Sequence, residues 1–214
     1  MENTQYDIEL KPGAQPYHGR PYSIPHAYKQ QLRHEVERLV KIGVLRKVNR
    51  SEWGAPTFVI PKKDRTIRFI TNFWELNKRI KRKPYPIPKI QDLLLKLEGF
   101  TYATSLDLNM GYYHIELSPS SLALCTIVLP WGKYKYLKLP MGLANSPDIF
   151  QEKMGDLFAD LETVRAYIDD LLLLTKGDWS NHLAELEVVL TRLQDAGLKV
   201  NIRKSFLVNT NWNI

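Results

Sequence analysis

Cysteine is nearly absent from this sequence. Cys125, inside the apolar run LALCTIVL, is the only one. That excludes a disulfide within the chain and a cysteine-rich zinc site, and leaves a buried, inert thiol. The histidines, His18, His26, His34, His114 and His182, are scattered without metal-ligand spacing. The opening MENTQYDIEL has no basic region leading into an apolar core, so no secretory leader is expected. The apolar runs are far too short to span a bilayer, and no membrane partner is expected. A soluble, intracellular protein is the expectation.

What is present describes a folded chain. Hydrophobic residues make up 44% and charged residues 25% of 214 positions, enough for one good-sized domain or two small ones. Lys and Arg number 30 against 23 Asp and Glu, a net charge of +7 that favours an anionic partner without naming one.

Residues 11–25, KPGAQPYHGRPYSIP, hold four prolines and two glycines and read as an extended arm. HAYKQQLRHEVERLVKIG then places Leu32, Val36, Leu39 and Val40 on one helical face and stops at Gly43. APTFVIPKKDRTIRFI predicts two strands joined by a charged turn at Lys62 to Arg65, and KPYPIPKIQDLLLKLEG a helix facing Ile90, Leu93, Leu94 and Leu97 inward. Strands are expected at YATSLDL, YYHIEL, LALCTIVL and KYKYLKL. SPDIFQEKMGDLFADL opens a helix with Ser146 as N-cap and Pro147 at its first position. A hairpin over 164–175, a helix over about 180–196 and the strand LKVNI complete the pattern. This order predicts an α+β fold with helices packed on an antiparallel sheet.

Within RAYIDDLLLL, Asp169 and Asp170 stand side by side between apolar residues. At a hairpin tip they have a bland reading, because Asp is tolerated in turns and a tip is wet. Yet a two-residue turn prefers Asn-Gly or Asp-Gly, and adjacent like charges repel. A third carboxylate, Asp107, ends the apolar strand of TSLDLNMGYYHIEL before a turn at Asn109 to Gly111. Three carboxylates at one sheet edge would make a hard-oxygen site suited to Mg²⁺, which takes few protein ligands and substrate phosphates for the rest. Two such ions can activate a hydroxyl and stabilise a leaving pyrophosphate, while neutralising the paired charges.

YIDD at 167–170, SLDLNMGYYHIEL at 105–117 and LPMGLANSPDIFQEKM at 139–154 together resemble a reverse transcriptase, in particular that of gypsy-class LTR retrotransposons. WGAPTFVIPKKD, LNKRIKRKPYPIPKI and HLAELEVVLTRLQDAGLKVNIRKS are similar to the same family in the same order. The resemblance covers about residues 6 to 208 and implies a right-hand polymerase: an antiparallel palm sheet backed by helices, with a ferredoxin-like core, and a fingers subdomain. In this reading 1–214 is a single truncated domain with fingers at about 1–83 and 118–146, palm at about 84–117 and 147–209, and no thumb.

By that resemblance Asp107, Asp169 and Asp170 are the catalytic, metal-holding aspartates of an RNA-directed DNA polymerase, a nucleotidyltransferase. The Leu108 carbonyl completes one shell around two Mg²⁺ ions, for which Mn²⁺ can substitute. Lys62 and Arg68 meet the dNTP triphosphate, a role that suits guanidinium forks. Met110, Gly111, Tyr112, Met141 and Gly142 line the nucleotide, with Tyr112 beneath its sugar, and Tyr167 touches primer-template. The run KRIKRK, with Lys78, Arg79, Lys81, Arg82 and Lys83, attracts template phosphates, against the bland reading of a solvated loop. The implied partners are an RNA or DNA template with its primer, dNTP, and the other Pol segments: thumb, ribonuclease H and integrase. The implied location is a cytoplasmic virus-like particle or the nucleus.

Departures from the family pattern are also visible. Asn72 and Trp74 stand where the family has aspartate and arginine, and Arg65 replaces a turn glycine. After KSFLV the ending NTNWNI matches nothing in the family's primer-grip hairpin, so a weak or inactive fragment is expected. Two other functions compete with polymerisation: a non-catalytic nucleic-acid-binding remnant, and a metal-dependent nuclease. No general-base histidine or glutamate lies near the aspartates in sequence to favour the nuclease.

Overall fold

A computed structural model of the chain describes residues 5–63, 66–88 and 99–208. Two compact units divide it: a first unit of Glu2–Arg82 with Ile115–Ser146, and a second of Lys83–His114 with Pro147–Ile214. Among the described residues no helix is long and apolar enough to cross a membrane.

In the first unit, α1 (His26–Lys41) buries Leu32, Val36 and Leu39 at helical spacing. It ends where Gly43 takes φ 74°, a conformation glycine adopts at little penalty. Val40, expected on the inward face, is exposed because the stripe rotates past it. Strands β1 (Leu45–Val48), β2 (Ala55–Pro61), β3 (Ile67–Thr71), β5 (Thr126–Leu129) and β6 (Gly132–Tyr136) form a sheet in the order β1-β6-β5-β2-β3. Its pairs are antiparallel except β2 with β5. The short helix α2 (Trp74–Arg79) follows β3.

The second unit carries the antiparallel path β10-β4-β8-β7, made from β4 (Tyr102–Asn109), β7 (Val164–Tyr167), β8 (Asp170–Thr175) and β10 (Phe206–Val208). A two-residue strand, β9 (Lys199–Val200), pairs with the end of β4. Helices α3 (Ser146–Leu157) and α4 (Trp179–Asp195) complete the unit. The α+β expectation therefore holds, with one sheet antiparallel and the other mixed.

Alternation along β4 and β8 sets which side chains face the helices. Thr104, Leu106, Leu171, Leu173 and Thr175 are buried on one face. On that face His182 of α4 bridges two strands, its Nε2 lying 2.8 Å from Thr104 Oγ1 and its Nδ1 2.7 Å from Thr175 Oγ1. His182 is thus a satisfied core histidine. Its neighbours on α4, Leu186, Val189 and Leu193, are buried as well. The Asp178 carboxylate caps this helix by accepting from the Asn181 amide at 2.8 Å.

Several expected strands are shorter or absent. YYHIEL is not a strand: Met110 at φ 57° turns the chain out of β4, and Gly111–His114 forms a 3₁₀ turn. In LALCTIVL only Thr126–Leu129 is extended, since the preceding residues turn where Asp7 gathers the hydroxyls of Ser118, Ser120 and Ser121. KYKYLKL is extended only as far as Tyr136, in a strand that begins at Gly132, and LKVNI only over Lys199–Val200, before Ile202–Lys204 coils into a second 3₁₀ turn. The Ser146 hydroxyl donates to the Pro140 carbonyl at 2.7 Å, so it ties the start of α3 to the preceding loop. The helix expected within KPYPIPKIQDLLLKLEG falls largely at 89–98, outside the described residues.

Candidate active site

Asp107 and Asp170 are direct cross-strand partners in the β4–β8 ladder. They project from the face opposite the one that buries His182, so neither carboxylate enters the apolar layer. The hairpin tip is not the expected Asp169–Asp170 pair. Tyr167 pairs with Asp170, which makes Ile168 and Asp169 the two-residue loop and leaves Asp170 in the strand. Asp170 is then a strand residue, paired with Tyr167 on one side and with Asp107 on the other.

Ile168 sits at φ 51°, an uncommon place for a β-branched residue. Helix α3 holds it there. The Gln151 side chain is buried, accepts from the Ile168 amide at 2.7 Å and donates to the Ala166 carbonyl at 3.0 Å. A further bond runs from the Leu108 amide to the Asp169 carbonyl at 2.8 Å, fastening the tip to β4. Asp169 Oδ1 is buried and accepts no hydrogen bond. Gly111 lies against it: a Cβ there would meet Phe150 Cζ at 2.4 Å and Asp169 Oδ1 at 3.0 Å. Tyr112 is buried beside Phe150, ring centroids 5.2 Å apart. Burial and the nearby Asp169 charge push its phenol well above the ordinary value, so it stays protonated.

The segment after α4 wraps Asp107. The Asp107 amide donates to Ser205 Oγ at 3.1 Å, and its carbonyl accepts from the Asn201 amide at 2.8 Å. Lys204 Nζ reaches Asp107 Oδ2 at 3.2 Å. Burial pushes the Asp169 carboxyl up to about 6, reinforced by the charges of Asp170 and Asp107, while Lys204 pulls the other way. Asp170 is raised for the same reasons, burial first and Asp107 next.

These residues fit a divalent cation. Carboxylate oxygens are hard donors, one of them is buried with nothing to accept, and an ammonium already compensates another. Among the described residues no group of three or more His, Cys, Asp or Glu is drawn together closely enough to hold a metal ion by itself. The aspartates form an open edge instead, the arrangement expected of Mg²⁺ sites that recruit substrate phosphates.

Structure brings Asp107, Leu108, Met110, Gly111, Tyr112, Asp169 and Asp170 together in the second unit, with Tyr167 on β7 beside the tip. Lys62, Arg68, Met141 and Gly142 belong to the first unit. The Lys62 amide closes the β2–β3 turn by donating to the Thr66 carbonyl at 2.8 Å, and exposed Arg68 lies across from Ile60. Met141 is exposed, and Gly142 at φ 94° accepts at its carbonyl from Asn77 Nδ2 at 2.9 Å.

The basic run is substantially occupied within the protein. Glu75 pairs with both Lys78 and Arg79 at 2.7 Å, and Lys81 lies 3.6 Å from Glu9. Arg79 also donates to the Gln15 carbonyl at 2.9 Å. Arg82 and Lys83 follow α2 in the chain, Arg82 closing the first unit and Lys83 opening the second.

The family model for reverse transcriptase (RNA-dependent DNA polymerase) matches residues 60–214, more than half of the chain. The chain belongs to the reverse transcriptase family. It is 30% identical over 97% of its length to the Retrovirus-related Pol polyprotein from transposon opus of Drosophila melanogaster, covering 21% of that relative. It is 29% identical over 95% of its length to the Transposon Tf2-3 polyprotein of Schizosaccharomyces pombe, covering 15%. Prototype foamy virus protease-reverse transcriptase superposes with a TM-score of 0.84 at 29% identity, covering 91% of this chain and 26% of that one. The foamy viral protease-reverse transcriptase in complex with RNA/DNA hybrid gives 0.85 at 26% identity, covering 97% and 29%. The chain thus spans 15–21% of the length of these transposon polyproteins.

Sequence reasoning about this reverse transcriptase chain missed Gln151, Lys204 and Ser205. Gln151 has a legible signal: a polar residue on the face shared by Phe150 and Met154 of an amphipathic helix. Lys204 has none, because its contact with Asp107 spans 97 residues.

Proposed function

We propose that the chain is the polymerase module of an LTR retrotransposon of the gypsy class, catalysing RNA-directed DNA synthesis. The second unit acts as the palm and the first as the fingers. One observation carries this reading: three aspartates from two strands and a turn occupy one sheet edge, with a buried carboxylate oxygen left without a partner.

In the proposed reaction the primer 3′-hydroxyl oxygen bonds to the α-phosphorus of a dNTP. The bond to pyrophosphate breaks, pyrophosphate carries away the electron pair, and the hydroxyl proton passes to solvent water. Asp107, Asp169, Asp170 and the Leu108 carbonyl would hold Mg²⁺, which supplies a more acidic hydroxyl and stabilises the leaving phosphates. The chain's own residues position. Gln151 and Leu108 fix the Asp169 turn, while Asn201 and Ser205 fix the Asp107 backbone. Buried Tyr112 gives the sugar a firm floor, and Gly111 permits close approach. Lys62 and Arg68 bind the triphosphate, Met141 and Gly142 border the base, and Tyr167 contacts primer-template.

The test is extension of oligo(dT) on poly(rA) with dTTP and Mg²⁺, comparing wild type with Asp169→Asn. Extension by wild type alone supports polymerisation. Binding without extension by either protein supports a remnant, and cleavage without added nucleotide supports a nuclease.

A further inference from the structure

Trp74, the first residue of α2, is 63% exposed, more than any other described tryptophan. An indole that open offers a large flat apolar surface to a partner. One of its faces is engaged. Lys78 Nζ lies 3.3 Å from the ring centroid and is itself held by Glu75 Oε1 at 2.7 Å. The Trp74 amide donates to Asn72 Oδ1 at 3.1 Å, and Asn72 Nδ2 donates to the Tyr22 hydroxyl at 3.0 Å. Tyr22, also exposed, packs edge-on against Phe58 of β2 with centroids 6.2 Å apart. Phe58 shares its strand face with Ile60, and Ile60 pairs with Arg68 across the hairpin.

Asn72 thus links the Trp74 backbone to the Tyr22 hydroxyl, and cations lie beside the indole. Glu75 is the carboxylate beside them, and it faces both Lys78 and Arg79, which leaves local charge positive. Lys78 covers one indole face, so the exposure belongs to the other face and the ring edge. A preset indole loses little rotamer freedom on binding and offers a flat surface to another ring. Aromatic platforms beside cationic side chains are how proteins hold single-stranded nucleic acid, since every base has a stacking face and every phosphate a charge.

We propose that Trp74, set by Lys78 and linked through Asn72 to Tyr22, is a stacking platform for an unpaired base of a single-stranded template. The proposal rests on the nucleic-acid reading above and adds a site where the resembled family carries arginine. Tryptophan at this position offers a ring in place of a charge, which favours a base over a phosphate. A base inside a duplex is already stacked on both sides, so the platform selects a single-stranded overhang.

Fluorescence anisotropy of labelled duplexes tests this, blunt against 5′-overhanging, without nucleotide and with EDTA, so that a catalytically dead chain still reports. Wild type is expected to prefer the overhang, and Trp74→Ala to lose that preference by roughly 5- to 150-fold. The salt dependence should stay unchanged because no charge is removed. Trp74→Phe should retain most of the preference, and an abasic overhang should reduce wild type to the level of Trp74→Ala. Equal weakening of blunt and overhanging duplexes, full binding of the abasic overhang, or self-association abolished by Trp74→Ala would overturn the proposal. Failure of wild type to bind any nucleic acid would overturn the underlying reading as well.

Discussion

Gln151 and Ile168 are joined by a 2.7 Å hydrogen bond that holds an isoleucine in the left-handed region, one residue before Asp169. The glutamine's other end donates to Ala166, so one buried side chain grips both sides of the tip. Gln151→Leu keeps much of the volume but leaves the Ile168 amide unsatisfied, which costs about 1–3 kcal/mol. Urea unfolding should report that loss. Primer extension should fall by about 100-fold, the usual penalty for a reacting group misplaced by an ångström.

Gly111 makes a second, opposite kind of demand. Adding one methyl in Gly111→Ala drives carbon into Phe150 and towards the unpartnered Asp169 oxygen. Overpacking of this kind costs about 1–3 kcal/mol. If the clash with Phe150 is the cause, Gly111→Ala with Phe150→Leu should recover stability relative to Gly111→Ala alone. Paired denaturation curves check this.

Lys204 is the ammonium that faces the aspartate edge. Its side chain is 66% exposed, so the pair with Asp107 is worth less than about 1 kcal/mol. Lys204→Met should lower the metal-free Tm slightly and enlarge the rise in Tm that Mg²⁺ produces, because nothing then competes for Asp107. Thermal unfolding with and without Mg²⁺ reads both effects.

His182 gives the fold a pH dependence. Burial lowers its pKa below the ordinary 6.5, with the Glu185 charge opposing weakly. The unfolded chain therefore takes up a proton before the folded chain does. Stability from this group is complete above the ordinary value and is lost as pH falls through the lowered one. His182→Gln carries no titrating ring. The difference in urea midpoint between it and wild type should shrink as pH falls from about 7.5 to about 5.

Local pattern made much of this legible. The amphipathic stripes of α1 and α4, the β4 run and the 164–175 hairpin followed from spacing, and Asp107 stood out as a charge closing an apolar strand. Register did not follow: one residue's shift decides whether Asp169 or Ile168 begins the tip, and turn preferences without glycine do not settle it. The 3₁₀ turn at Gly111–His114 was also hidden, because Tyr-Tyr-His-Ile has strand propensity and yields to the close approach of Phe150. Residues 78–83 looked like a free cationic run, yet Glu75 engages Lys78 and Arg79 one helical turn away on α2, and only the pairing of Lys81 with distant Glu9 was hidden from the sequence.

The claim that Asp107, Asp169 and Asp170 form one cation-binding edge is tested most directly by Mn²⁺ titration. The titration is followed by electron paramagnetic resonance, with template-primer and dTTP present. Wild type should bind the ion, and Asp107→Asn, Asp169→Asn and Asp170→Asn should each weaken it. Unchanged binding in all three variants, or a loss confined to one of them, would contradict a shared site.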